Sequence, residues 1–444
     1  MAPVPSVRLV VAYALTAVAL AVFTASELPA TGEQRAGPSR SPIQTFAITN
    51  ATIIDVISGE ARPGSTIVVA GNQITQIGRS IRVPRDAVRV DATGKFVIPG
   101  FWDMHSHNQA SGAESLALYL AHGVVGTRDM GSELEFIVPL RDRIRRGEVL
   151  GPEIYAAGPI LDEAPSEWPF RRRVTNAEDA RAAVRDLKQG GVDFIKVHNF
   201  TPREAFFAIT NEAQKVGLTV AGHIPLKVSL EEGLASGMAS IEHFSESRLF
   251  RECPGKNCEP LFAKIVSTGV YQTPTGVFSE AAIDGFAGKP MRHAEYANEA
   301  VLELNRRQLE SFKPDAKVLT MLRSQIPERR AAVKNLHAKG ARFLAGCDGW
   351  VPGFCLHDEL QWLTESGLSP LQALQTATIN PAKFLGREKT QGTVEIGKRG
   401  DLVLLDADPR TEIRNASRIH AVLVQGRLLQ RSEIDRLIAA RRRR

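Results

Sequence analysis

The sequence predicts an α/β fold: a closed (β/α)8 TIM barrel with a small β-sandwich built from segments at both ends of the chain. Three observations carry that expectation. Between residues 97 and 389, eight short apolar runs alternate with amphipathic helical segments. β-rich stretches flank that region on both sides. Residues suited to chemistry sit where the apolar runs give way to loops.

The eight runs are residues 96–107, 124–130, 154–161, 193–197, 219–224, 240–244, 270–275 and 342–348. Segments with helical periodicity, such as 176–189 and 202–215, lie between them. Repetition of strand, helix, strand argues for a closed parallel barrel over an open doubly wound sheet. The flanks, 44–96 and 390–430, carry further β-rich runs and are expected to pair into one composite sandwich. Residues 276–341 form the longest connection, with charged helical patterns at 296–307 and 316–337, and a connection of that size suits a lid over a site.

Residues 1–26 read as an export signal, with an uncleaved membrane anchor as the alternative. The apolar run 9–23 is shorter than the roughly 20 residues a spanning helix needs, and Thr24, Ala25 and Ser26 suit cleavage. Residues 27–43 read as a polar linker, and 431–444 as a basic tail with a solvated helix end. The formal net charge is +6, and part of it sits in the last four residues, Arg441 to Arg444. No basic stripe interleaves with aromatic residues, so nucleic acid is not a favoured partner. Homo-oligomerisation stays open. The four cysteines offer two candidate pairs, Cys253 with Cys258 and Cys347 with Cys355, and neither has a zinc-finger layout. The stretch from Gly392 to Lys398 spells most of a phosphate loop. Arg399 stands where Ser or Thr belongs, and a strand rather than a helix follows, so it is not read as a nucleotide site.

The chemistry starts with His105-Ser106-His107 at the end of the first run. In a strand, residues i and i+2 face the same way, so both imidazoles point into one mouth of the barrel. Sites in this fold gather at the C-terminal ends of the strands. Lys196 ends the fourth run, His223 the fifth, His243 the sixth and Asp348 the eighth. Neutral imidazole and carboxylate suit two divalent cations, zinc first among them. Two such ions repel one another and need an anionic bridge. A lysine buried beside cations loses its proton readily, and the free amine takes up carbon dioxide to give a carbamate with two bridging oxygens. Bridging water, which the metals acidify to hydroxide, is the second bridge and the nucleophile. Asp348 and His243 are the candidate catalytic residues, with Asp348 able to carry the proton.

With these residues in place, the chain resembles the amidohydrolase superfamily, in its imidazolonepropionase-like and prolidase-like branch. The resemblance runs from about residue 45 to 430. It rests on residues 97–107 (Val-Ile-Pro-Gly-Phe-Trp-Asp-Met-His-Ser-His), 126–131 (Gly-Thr-Arg-Asp-Met-Gly), 193–197 (Asp-Phe-Ile-Lys-Val), 240–243 (Ser-Ile-Glu-His) and 377–382 (Ala-Thr-Ile-Asn-Pro-Ala), with Gly397-Lys398 and Asp401-Leu402-Val403 beyond. It implies that His105 and His107 bind one metal with Asp348, that His223 and His243 bind the other, and that carboxylated Lys196 bridges both. Dipeptidase-like members often read His-Ala-Tyr at the fifth strand. Here the residues are His223-Ile224-Pro225, which sets this chain apart from a simple dipeptidase.

Four residues are candidates for substrate contact. His198, two after Lys196, either faces the mouth or lies on a solvated loop. Arg128 either pairs internally with Asp129 or clamps a substrate carboxylate. Thr273 and Thr275 either line the pocket or pack. The loop with Trp350 and Phe354 either lines a pocket for an apolar substrate group or packs, and His357 is read as structural. The function these readings favour is metal-dependent hydrolysis of an amide-type C–N bond in a dipeptide, an N-acyl amino acid or a cyclic amide. Lactone or phosphoester hydrolysis on the same site is the alternative, and a non-catalytic binding barrel is the alternative of another class.

Overall fold

The structure, a computed structural model, describes residues 44–163, 170–244, 258–311, 313–349 and 351–443. The expected leader and linker (1–43), Cys253 and Trp350 lie outside them. No helix among the described residues is long and apolar enough to cross a membrane.

The barrel strands follow the apolar runs. They are Phe101–Ser106, Val124–Asp129, Glu153–Ala156, Phe194–Val197, Thr219–Gly222, Ser240–Glu242, Tyr271–Thr273 and Arg342–Phe343. The third run divides: Ile160–Asp162 forms a separate strand that pairs with Arg171–Arg173 and with Phe194–Val197. The ladders fall into a three-stranded and a seven-stranded sheet, and backbone hydrogen bonds bridge the gaps. Asp193 N–H donates to Ala156 O at 2.8 Å, Met104 N–H to Ala345 O at 2.9 Å and Asp348 N–H to His105 O at 2.9 Å. The last of these sets the eighth strand's end directly against the first. Helix Ala177–Gln189 packs Ala180, Ala183, Val184 and Leu187 on the barrel. Asn176 caps it, its side chain accepting from Glu178 and Asp179 N–H, which satisfies donors that a helix start leaves open.

The first run, read as one strand over 96–107, is two. Phe96–Pro99 belongs to the composite sheet, where it runs antiparallel to Leu402–Leu405 and parallel to Thr45–Ile54. Gly100 N–H donates to Asp401 O and Phe101 N–H to Gly123 O, both at 2.9 Å, so the chain passes from sheet to barrel at that glycine. The terminal segments thus join as expected, in one continuous eight-stranded sheet. Phe46, Ile48, Ile67, Val97, Leu402 and Leu423 share its core. In the long connection the helices are Gly276–Phe286, Glu299–Ser311 and Ala316–Ala338.

The basic tail is largely exposed, with Arg442 and Arg443 at the surface, and it is tied to the fold by a few bonds. Arg443 N–H donates to Glu295 O at 2.6 Å, its guanidinium pairs with Glu299, and Arg441 Nε donates to Glu114 O at 2.9 Å. A guanidinium in reach of carbonyls and carboxylates is held by charge-assisted bonds. Cys347 and Cys355 form a disulfide, and Cys258 is also disulfide-bonded.

His122 lies buried under Phe354, with ring centroids 4.0 Å apart. Its Nδ1 donates to Leu118 O at 2.8 Å. Burial, aided by His357, pushes its pKa down to about 3. In the unfolded chain a histidine titrates near 6.5, so below that pH the unfolded state binds the proton first. The contribution of neutral His122 is complete above about 6.5 and is lost as pH falls toward 3. Thermal melts of wild type and His122→Gln over that window are expected to converge by about 1.4 kcal/mol per pH unit on the acid side. Parallel curves would refute this.

Candidate metal centre

The rim residues converge. His105 and Asp348 are brought together by the closure of the barrel, with His105 Nε2 3.6 Å from Asp348 Oδ1. His107 Nε2 lies 3.2 Å from the same oxygen, and His243 Nε2 lies 3.8 Å from Oδ2. His105, His243 and Asp348 form a group whose ligand atoms all lie within 4.8 Å of one another. The His223 ring stands 4.8 Å from that of His243 and 4.0 Å from that of His198.

Each imidazole is turned by its other nitrogen. Nδ1 of His105 meets Glu242 Oε2 at 2.8 Å, that of His223 meets Asn199 Oδ1 at 2.9 Å, and that of His243 meets Thr275 Oγ1. His107 Nδ1 is 3.4 Å from Gly131 O. An acceptor at Nδ1 fixes the tautomer and directs the Nε2 lone pair, the arrangement in which histidine ligates metal. Burial holds His105 and His223 well below the ordinary imidazole range and brings His243 to about 3. For His107, burial is outweighed by the hydrogen bond and charge of Asp348, and its pKa rises. Burial also opposes ionisation of Asp348, but His105, His107 and His243 hold its carboxyl well below the usual range. An ionised carboxylate among mostly neutral imidazoles is a donor set that fits a divalent cation.

Lys196 is buried in the same mouth, its charge felt by His105, His223 and His243. Two glycines make room. A Cβ on Gly222, whose φ is +132°, would sit 3.0 Å from Lys196 Cδ and 2.2 Å from Val197 O. A Cβ on Gly346 would meet the His105 Cβ at 2.6 Å.

Glu242 was not singled out from the sequence. Alternation along its strand puts it opposite His243, but His243 adopts φ +54°. That left-handed turn lets both neighbours face the interior. Glu242 takes Arg128 Nη2 at 2.9 and 3.0 Å while holding His105. Arg128 is fully buried and also donates to Met104 O and Ser240 Oγ, each at 2.6 Å, and to Thr273 Oγ1 at 3.2 Å. The internal pair therefore forms across the barrel with Glu242, not with Asp129, and Arg128, fully buried, is not exposed to clamp a substrate carboxylate. Thr273 serves that network and Thr275 serves His243, and both are buried. Asp129 instead accepts from Asn108 N–H at 2.8 Å and from Ser132 Oγ at 3.0 Å. His198 lies beside His223, the rings tilted by 33°, with Nδ1 3.4 Å from Asp162 Oδ2, and Arg171 pairs with Asp162 beside it. His357 Nε2 donates to His122 O at 2.9 Å, a structural contact. Phe354 packs between the His293 and Tyr296 rings.

A barrel with its ionisable groups gathered at the C-terminal mouth is the arrangement of barrel enzymes. Residues 96–429 match the amidohydrolase family, and the chain belongs to that family. Its members are typically metal-dependent. An imidazolonepropionase of Symbiobacterium thermophilum is 24% identical over 373 residues, covering 77% of this chain and 84% of that protein. A deacetylase of Agrobacterium fabrum is 26% identical over 128 residues, 26% of this chain and 31% of that protein. With that deacetylase the chain shares less than a third of the relative's length. Among solved structures, a Xaa-Pro dipeptidase with bound methionine superposes with a TM-score of 0.69 at 21% identity, covering 87% of this chain and 100% of that one. Bottromycin amidohydrolase superposes at 0.70 with 24% identity, covering 90% and 91%. Both show the fold.

Proposed function

We propose that this hydrolase cleaves an amide-type C–N bond in a dipeptide, an N-acyl amino acid or a cyclic amide. The observation that carries the reading is the convergence of His105, His107 and His243 on the Asp348 carboxylate. His105, His107 and Asp348 would hold one divalent cation, zinc first, and His223 and His243 a second, with Lys196 carboxylated between them. Bound there, such ions acidify water and polarise the scissile carbonyl. The chain's own groups do the rest. Glu242, Asn199 and Thr275 keep the imidazoles oriented. Asp348 takes the proton of the attacking water and delivers it to the amine nitrogen as the C–N bond breaks. The names of the dipeptidase and the amidohydrolase among the structural relatives support amide cleavage. Export through residues 1–26 belongs to the same proposal.

The test is amine release by purified protein from a library of dipeptides, N-acyl amino acids and cyclic amides, with zinc and with a chelator. Turnover that is lost with chelator and restored by zinc is the expected result. Turnover of lactones or phosphoesters alone would replace amide cleavage with those chemistries. Silence throughout, with no metal retained, would leave a binding barrel.

A further inference from the structure

We infer that the cavity beside Asp348 is a subsite for an uncharged, bulky apolar substituent, so that the amide cleaved carries an aromatic or large aliphatic side chain or acyl group. This rests on the amide-hydrolase reading above. The cavity has a volume of about 280 Å³. For scale, an apolar cavity of about 150 Å³ holds a benzene. Its wall comes from three places: Val277, Phe278 and Ala281 on helix Gly276–Phe286, Met291 and Leu309 across from them, and Val351 on the loop that leaves Asp348.

Two observations tie the cavity to the reacting centre. Gly349, next to Asp348, lines it. Phe278 lines it too, and its ring lies 6.4 Å from that of His243. A substrate whose carbonyl sits at the rim therefore has one substituent directed between these walls.

The charged residues of the lining are paired with one another. Lys289 faces Asp284 at 2.9 Å, and Asp358 faces His293 at 3.1 Å and Arg292 at 3.8 Å. The cations and carboxylates balance, so a charged substituent would bring an uncompensated charge among the apolar side chains of the lining, which is costly. A small polar cyclic amide would leave that wall to water. A neutral apolar group removes it from water and gains accordingly.

The experiment uses the purified full chain with zinc and substrate pairs that differ in one group, acetyl against phenylacetyl and glycyl against phenylalanyl. The expected result is at least a ten-fold preference in kcat/KM for the bulky partner, and a ten-fold or greater fall of that ratio in Ala281→Trp. Ala282→Phe supplies the ratio if the first variant does not fold by thermal melt. Binding of 4-fluorobenzyl alcohol, followed by fluorine NMR, gives a readout independent of turnover: saturable in wild type and abolished in the variant. Turnover without size preference, or a ratio unmoved by both variants, overturns the subsite and leaves amide hydrolysis standing. Saturable, variant-sensitive probe binding without turnover of any amide supports the cavity and overturns the amide-cleavage reading. Absence of probe binding overturns the cavity.

Discussion

Asp348→Asn is expected to lower kcat/KM for the best amide substrate by about 10³-fold, close to 4 kcal/mol of transition-state stabilisation. The side chains are nearly isosteric, and the backbone N–H of residue 348, which donates to His105 O at 2.9 Å, is untouched. The fold should survive. What disappears is the anionic oxygen 3.2 Å from His107 Nε2 and 3.6 Å from His105 Nε2, together with a base able to move a proton. An amide cannot take a proton from water at neutral pH. Steady-state kinetics beside metal analysis separates the two losses: reduced metal content reports ligation, and slow turnover at full metal content reports proton transfer. A variant within ten-fold of wild type would remove Asp348 from the mechanism.

The second large effect concerns stability. Arg128→Met is expected to cost about 3–5 kcal/mol, because breaking a buried ion pair strands the remaining charge. Arg128 and Glu242 are both fully buried, and the guanidinium supplies donors to Met104 O, Ser240 and Thr273 as well. Its face also lies 5.1 Å from the Phe384 ring centroid. For a chain of this size that loss corresponds to a fall in Tm of roughly 5 °C. Arg128→Lys is not expected to rescue it, since one ammonium cannot span a fork of partners. Adding Glu242→Met to Arg128→Met should restore much of the melting temperature by removing the stranded charge, yet leave activity low because His105 loses its Nδ1 partner. Differential scanning calorimetry and amine release, run together, check both halves. A single Arg128→Met variant as stable as wild type would refute the account.

The candidate site was legible to the extent that it depends on local pattern. His105 and His107 share a face because strand side chains repeat every two residues. Lys196, His223, His243 and Asp348 each stand where an apolar run meets a loop, and a parallel barrel sends all such ends to one side. Cys347 and Cys355 are close enough in sequence to be named as a pair. Glu242 escaped because the same two-residue rule turns it away from His243, and only the φ of +54° at His243 undoes the rule. Arg128 was matched to its neighbour Asp129 because adjacency is all a sequence displays. Its partner lies 114 positions further on. The partners of the exposed tail are hidden from the sequence for the same reason: Glu114 and the Glu295–Glu299 segment that receive its arginines are remote in the chain.

By itself, then, the sequence determined the number and order of the barrel strands, the split of the β-rich unit between the two flanks, and which side chains stand at the mouth. Each of these follows from hydrophobic periodicity and from the direction a strand end faces, properties settled within a few residues. The tertiary structure decided the rest. It set where the first run breaks at Gly100, that Phe96–Pro99 lies against Leu402–Leu405, that the eighth strand's end docks on His105, and that Arg128 reaches Glu242 across the interior. Those contacts arise from closing the barrel, which brings distant segments to hydrogen-bonding range, and from the requirement that every charge enclosed by that closure find a partner.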